Sequence, residues 1–348
     1  MMNLIFFKKF MYLFSLNKYF YMMLFFSLMI IVSSSSWLGV WLGMEMNLLF
    51  FIPLLMNNVK MSKYINSSMM YYIIQVGSSS MMLMIILMMK INLILMEVNL
   101  MVVLLQISLI FKLGASPFHW WLVKIMNSIS WLNLFILSTL QKVGPLFLLV
   151  NLNVSFLVYF SMMLSGLFGS FLGFNQVSLK LIMGYSSVNH MSWMFMSLMI
   201  DSYILLIYMM IYFLNNLIIC MFFYYFNLNY LNQVYMMNNL SYFMKLLLLM
   251  MFLSMAGIPP MIGFLPKFFV FMLMIKNLFY IECLIFIFYT LVVLFYYMNL
   301  ILPLLLTLKF NLKFNLNYLK LNFYYFLIFM LNIFLMMLIY MMMIYYFN

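Results

Sequence analysis

Residues 112–121 read Lys-Leu-Gly-Ala-Ser-Pro-Phe-His-Trp-Trp, and residues 257–267 read Gly-Ile-Pro-Pro-Met-Ile-Gly-Phe-Leu-Pro-Lys. Each interrupts an apolar run longer than one bilayer crossing needs, near 97–126 and near 242–275. Proline deletes a backbone donor and glycine releases helical geometry, so both runs are expected to be broken helices. At membrane depth such breaks survive only where protein or water satisfies the freed carbonyls, and they mark transport sites. A lysine stands at each, Lys112 before the first and Lys267 after the second.

The rest of the chain sets these breaks in a membrane. Hydrophobic residues make up 70% of 348 and charged residues 6%, whereas a soluble domain carries about 25% charged residues. Successive apolar stretches of about 20 residues can cross a hydrocarbon core of about 30 Å as helices, and alternating barrel strands are absent. The expected fold is an all-α polytopic membrane protein with about eleven transmembrane helices. They fall near 19–36, 38–57, 67–90, 97–126, 131–150, 154–174, 177–199, 202–227, 242–275, 278–305 and 321–346, the fourth and ninth discontinuous. The breaks are five helices apart, as inverted repeats of five helices would place them. This divides the chain into an N-terminal segment 1–18, a first repeat 19–150, a second repeat 151–305, and a loop with a final helix over 306–348.

Lysines give the orientation. With eleven crossings, Lys8, Lys9, Lys18, Lys60, Lys63, Lys124, Lys180, Lys245, Lys309, Lys313 and Lys320 fall on the N-terminal side, and only Lys90 and Lys276 on the other. Positive charge stays on the side of insertion, so the N-terminus is expected in the matrix or cytoplasm. The net charge of +12 is thereby explained without nucleic acid, since no arginine and no basic run is present. Absent arginine, alanine only at Ala115 and Ala256, and 46 methionines point to an A+T-rich animal mitochondrial gene. Residues 1–20 lack the arginine and serine bias of a transit peptide.

Few residues remain for chemistry. Gly39, Gly43, Gly166, Gly169 and Gly173 sit in helices as small packing residues, so no dinucleotide loop is readable. His119 and His190 lack cysteine or carboxylate partners at ligand spacing, which argues against metal, and two histidines cannot supply paired haem ligation. Cys220 and Cys283 read as small buried hydrophobes.

What is left is a sparse set of ionisable groups at depth: Glu45, Lys112, Lys142 and Lys267, with His119 and His190. A lysine or aspartate at a helix centre costs about 2.5–3.5 kcal/mol, against about 0.3–0.6 gained per Leu, Ile or Phe. Burial favours neutral lysine and a nearby carboxylate favours the ammonium, so a lysine switched between these settings relays protons. Blander readings stand beside this one. Glu45 and Lys267 could snorkel to an interface, Lys112 could cap the broken helix, and the histidines could be structural hydrogen-bonders. Lys142, before Gly144-Pro145 near the middle of the fifth helix, has no interface within reach. Glu97, Asp201 and Glu282 lie near expected helix ends and read as interfacial.

Several motifs resemble one family. Trp41-Leu-Gly-Met-Glu45-Met-Asn47, the 112–121 stretch, Gln141-Lys-Val-Gly-Pro145, Asn175-Gln, Tyr185-Ser-Ser-Val-Asn-His190-Met-Ser-Trp193 and the 257–267 stretch occur in the order found in the antiporter-like membrane-arm subunits of respiratory complex I. The resemblance covers about residues 19–300. The Pro-Phe-His-Trp-Trp break and eleven helices resemble the shortened animal form, which starts on the matrix side, more than the longer antiporter-like subunits.

The resemblance implies a proton-pumping module of the mitochondrial inner membrane. In it Glu45 pairs with Lys112, Lys142 is central, Lys267 marks the second break, and His119 and His190 lie on the polar axis. One position departs: Leu179-Lys180-Leu181 stands where the family reads Leu-Arg-Lys, which puts any entry role of Lys180 in question. The implied complex uses FMN, iron–sulfur clusters and ubiquinone, none held by this chain. Implied partners are other membrane-arm subunits, adjacent antiporter-like subunits among them, and lipids such as cardiolipin. A stand-alone cation/proton antiporter and a structural spacer of the membrane arm are the rival readings.

Overall fold

In a computed structural model, the described residues are 2–56, 62–90, 98–152, 155–235, 242–259 and 261–310. Long apolar side chains dominate the helices, and several helices stop at Gly or Asn, as at Gly114, Asn151, Gly257 and Asn277. The order is α1 (Met2–Ser33), α2 (Trp37–Met56), α3 (Ser62–Lys90), α4 (Val98–Leu113), α5 (Trp120–Ser128), α6 (Trp131–Ser138) and α7 (Leu140–Val150). It continues with α8 (Phe156–Phe171), α9 (Leu179–Ile200), α10 (Ser202–Tyr225), α11 (Leu231–Tyr235), α12 (Tyr242–Ala256), α13 (Phe264–Lys276) and α14 (Tyr280–Phe310). The only β-pairing among the described residues is one bridge between Ser178 and Tyr230. Among the described residues, five stretches are long and apolar enough to cross a membrane: Trp37–Met56, Ile65–Lys90, Trp131–Val150, Ser202–Tyr225 and Tyr280–Leu305.

The chain forms two compact units, residues 1–161 and 162–348. In the first, α2 packs between α1 and α3, and α4 packs on α3 and α7. In the second, α9 is the centre: every residue from Ser186 to Leu198 is buried, the mark of a helix enclosed on all sides. Close approach needs small residues there. A Cβ on Gly169 would stand 2.5 Å from the Asn189 backbone nitrogen.

Both expected breaks are present, and they share one local geometry. α4 ends with Gly114 at φ +65, where Gly114 N–H donates to Phe111 O (3.2 Å) and Ala115 N–H to Ile110 O (3.4 Å). α12 ends with Gly257 at φ +78, where Gly257 N–H donates to Ser254 O (3.2 Å) and Ile258 N–H to Leu253 O (3.3 Å). This is the Schellman pattern twice, and glycine supplies the left-handed residue without steric cost.

Three expectations need correction. The first helix starts at Met2 rather than near 19, so residues 2–18 continue α1 instead of forming a separate segment. Lys8, Lys9 and Lys18 did not stop it, because lysine is a good helix former. The fifth helix, expected to be continuous over 131–150, is interrupted at Thr139 (φ −121, ψ −76). Thr139 turns its N–H back to Phe135 O (3.1 Å) and its Oγ1 to the same oxygen (2.6 Å), which closes α6 on itself. Lys245, grouped with the loop lysines, lies in α12 and is 2% exposed. The expected helix 321–346 and Glu97 lie outside the described residues.

Candidate functional site

The first unit brings Lys112 and Lys142 to one cavity of about 20 Å³. Side chains one helical turn apart share a face, and each wall uses this spacing. Met44, Asn47 and Leu48 come from α2, Tyr71 and Gln75 from α3, and Gln141 and Pro145 from α7. Lys112 is the penultimate residue of α4 and Lys142 the third of α7; they are 8% and 2% exposed. Because a water needs about 10–15 Å³ and two to four polar partners, the cavity has room for one water beside both amines.

Carbonyls freed at the first break are taken up by side chains. Trp121 Nε1 donates to Phe111 O (3.2 Å), and Gln75 Nε2 donates to Lys112 O (3.2 Å). A second set of bonds crosses the cavity wall: Gln141 Nε2 donates to Asn47 Oδ1 (2.9 Å), and Tyr71 Oη donates to Gln141 Oε1 (3.3 Å). Tyr71 is enclosed by Phe51 (ring centroids 5.2 Å) and Trp121 (6.3 Å). Glu45, half-buried on α2, interacts electrostatically with Lys112, while no ion pair closer than 4.0 Å joins them among the described residues. His119 stands at the N-cap of α5, half-buried, with Nδ1 3.1 Å from Ser116 Oγ.

The second unit holds Lys267 and His190. Lys267 is 3% exposed and donates Nζ to Ala256 O at 3.0 Å, so it addresses the carbonyl end of α12 from the first turn of α13. Lys112, in the last turn of α4, occupies the same negative end of its own broken helix. Helix C-termini favour cations, and unwound carbonyls in discontinuous helices coordinate them. His190 Nδ1 lies 2.8 Å from Tyr208 Oη, with the Tyr212 ring 4.8 Å away. Asp201 and Glu282 lie at helix ends, and Asp201 Oδ1 caps α10 by accepting from Tyr203 N–H (3.0 Å).

Sequence reasoning assigned no role to Tyr71, Gln75, Tyr208 or Tyr212. Gln75, a lone amide inside the apolar run 67–90, carried a signal; three tyrosines among 26 carried none.

The model for the NADH:quinone oxidoreductase/Mrp antiporter transmembrane family matches residues 34–295. NADH-ubiquinone oxidoreductase chain 2 of Anopheles gambiae is 35% identical over 265 residues, 75% of this chain and 76% of that one. The Locusta migratoria protein of the same description is 34% identical over 272 residues, covering 77% and 79%. The chain belongs to the NADH-ubiquinone oxidoreductase chain 2 family. Insect relatives of this family agree with the mitochondrial composition. Among solved structures, a chain of respiratory complex I from Thermus thermophilus shares the fold at TM-score 0.70 and 16% identity, covering 85% of this chain and 78% of that one. A chain of the Mrp complex from Dietzia sp. does so at TM-score 0.73 and 12% identity, covering 80% and 58%. Chain 2 membership also makes this a multi-pass protein of the mitochondrial inner membrane.

Proposed function

We propose that this chain is a membrane-arm subunit of mitochondrial NADH:ubiquinone oxidoreductase, and that it moves protons through buried Lys112, Lys142 and Lys267, governed by Glu45. Electron transfer takes place in other subunits, which carry the flavin, the iron–sulfur clusters and the quinone site. The observation that carries the reading is the placement of two buried lysines on one water-sized cavity. An ionisable group at this depth is costly in lipid and points to function.

The proposed switch is electrostatic. When Glu45 approaches Lys112, its ammonium is stabilised; when the pair separates, the proton passes through the cavity toward Lys142. At an effective dielectric near 20, lengthening a unit pair from about 4 to about 8 Å changes the attraction by about 2 kcal/mol. Moving one charge against 100 mV costs about 2.3 kcal/mol. A modest displacement is therefore of the right size to drive one proton.

Lys267 at the second break is proposed to do in its unit what Lys112 does in the first, with His119 and His190 as secondary relays. Eleven crossings arranged as two five-helix inverted repeats, with the N-terminus in the matrix, complete the reading. Its partners are the neighbouring membrane-arm subunits and bilayer lipids such as cardiolipin. The test is Lys142→Met in sealed inner-membrane vesicles: protons moved per NADH should fall while assembly and NADH oxidation by an artificial acceptor persist. An unchanged ratio would instead favour a structural spacer.

A further inference from the structure

The Thr139 interruption leaves the turn that carries Lys142 with an incomplete backbone ladder. α6 closes on itself through Thr139, and Pro145, inside α7, has no N–H to offer the Gln141 carbonyl four residues earlier. The turn is instead tethered through a side chain. Gln141 donates to Asn47 on α2 and accepts from Tyr71 on α3, and both of these partners are buried. Asn47 lies two residues after Glu45, and Gln141 immediately precedes Lys142. One amide contact therefore joins the segment bearing the controlling carboxylate to the turn bearing the receiving lysine.

We propose that Gln141 is a positioning residue that makes the Glu45 segment of α2 and the Lys142 turn of α7 move together, so that displacement of Glu45 reaches Lys142 mechanically. This rests on the proton-relay reading of the same cavity. A carboxamide does not titrate at physiological pH, so the Asn47–Gln141–Tyr71 string holds geometry and carries no proton itself. The string fits this task because it fills the donor and acceptor sides of Gln141 at once, which fixes the amide's orientation.

The experiment uses the assembled complex in sealed inner-membrane vesicles and reads protons moved per NADH oxidised. Gln141→Met removes both bonds at nearly constant volume and should cost at least half of the loss seen with Lys142→Met. Asn47→Leu cuts the same tie from the other side, and the double variant should be no worse than the more damaging single. Exchanging the amides, Asn47→Gln with Gln141→Asn, keeps the summed side-chain length and should restore most of the ratio. A role in packing alone predicts a lower thermal midpoint with an unchanged ratio, and no rescue by the exchange. The proposal is overturned if Gln141→Met keeps the wild-type ratio while Lys142→Met loses it. If Gln141→Met does not assemble, a wild-type ratio in Asn47→Leu overturns it equally. If Lys142→Met also keeps the ratio, the relay reading itself has failed.

Discussion

Gly257→Ala should disable the second lysine without unfolding the helix that holds it. A Cβ at residue 257 would stand 2.7 Å from Lys267 Nζ, 3.0 Å from its Cδ and 3.2 Å from its Cε. The colliding atoms belong to the far end of a flexible side chain, so the amine can retreat and the backbone need not. At φ +78 the new residue carries a left-handed strain of about 1–2 kcal/mol. Retreat also forfeits the bond from Nζ to Ala256 O, at 3.0 Å, and a hydrogen bond to a charged group is worth about 1.5–3 kcal/mol. That loss is comparable to the roughly 2.3 kcal/mol needed per charge against 100 mV, enough to move the amine out of step with its task. Protons per NADH, measured by dye quenching against NADH oxidation in sealed vesicles, should fall to the level of Lys267→Met, and the thermal midpoint should drop only slightly. A wild-type ratio in Gly257→Ala beside a lowered one in Lys267→Met would refute the reasoning, because the position of the amine would then not matter.

The corresponding change at the other break should behave differently. In Gly114→Ala the Cβ meets Leu122 Cδ1 at 2.8 Å, Leu122 Cβ at 3.0 Å and Trp121 Cζ2 at 3.0 Å; these are packed core atoms, so the expected result is poorer assembly on native gels with a normal ratio in what assembles. Gln75→Leu leaves the Lys112 carbonyl without its side-chain donor, a loss of about 1–3 kcal/mol that should appear as a lower thermal midpoint of the assembled complex. Asn133→Leu removes the bond to Leu54 O at 2.7 Å and should cost about 1–3 kcal/mol of stability by the same measurement, with pumping per NADH unchanged. Tyr208→Phe removes the partner of His190 Nδ1; if His190 is a relay, the ratio falls while assembly persists, whereas a structural histidine yields only a lower thermal midpoint.

How far the sequence could be read depended on which feature a residue's own chemistry dictates. The breaks at Gly114 and Gly257 were legible because glycine and proline act on their own backbone, whatever surrounds them. Buried lysines were legible because lipid makes each one expensive. The interruption at Thr139 was not, since neither threonine nor the flanking leucines force a helix to stop as glycine and proline do. Helix starts were equally opaque at α1, expected near 19 and found at Met2, because the lysines before residue 19 are helix formers. The pairing of Gln141 with Asn47 spans 94 residues; no local pattern could have announced it, although both residues stood in motifs already singled out.

The two breaks also show why a repeated backbone geometry need not be a sequence repeat. Their backbones close alike, each through a left-handed glycine and the same pair of bonds to the preceding turn. Their lysines do not align, because Lys112 lies two residues before its glycine and Lys267 ten residues after. What coincides is nearness to a helix end: Lys112 sits in the last turn of α4, and Lys267 reaches back across its break to the last carbonyl of α12. The negative end of a helix stabilises a nearby cation by about 0.3–1 kcal/mol at exposed sites and up to about 2 kcal/mol where partly buried. That is the same order as the work of moving a charge through 100 mV. An amine is therefore recruited to the carbonyl end from whichever side the chain can supply it. It follows that moving the lysine to the other side of a break should preserve function better than neutralising it: Leu113→Lys with Lys112→Leu keeps a cation in the last turn of α4, and should retain more pumping per NADH than Lys112→Met. Equal loss in the two variants would mean that the cavity contact, and not the helix end, sets the value of that lysine.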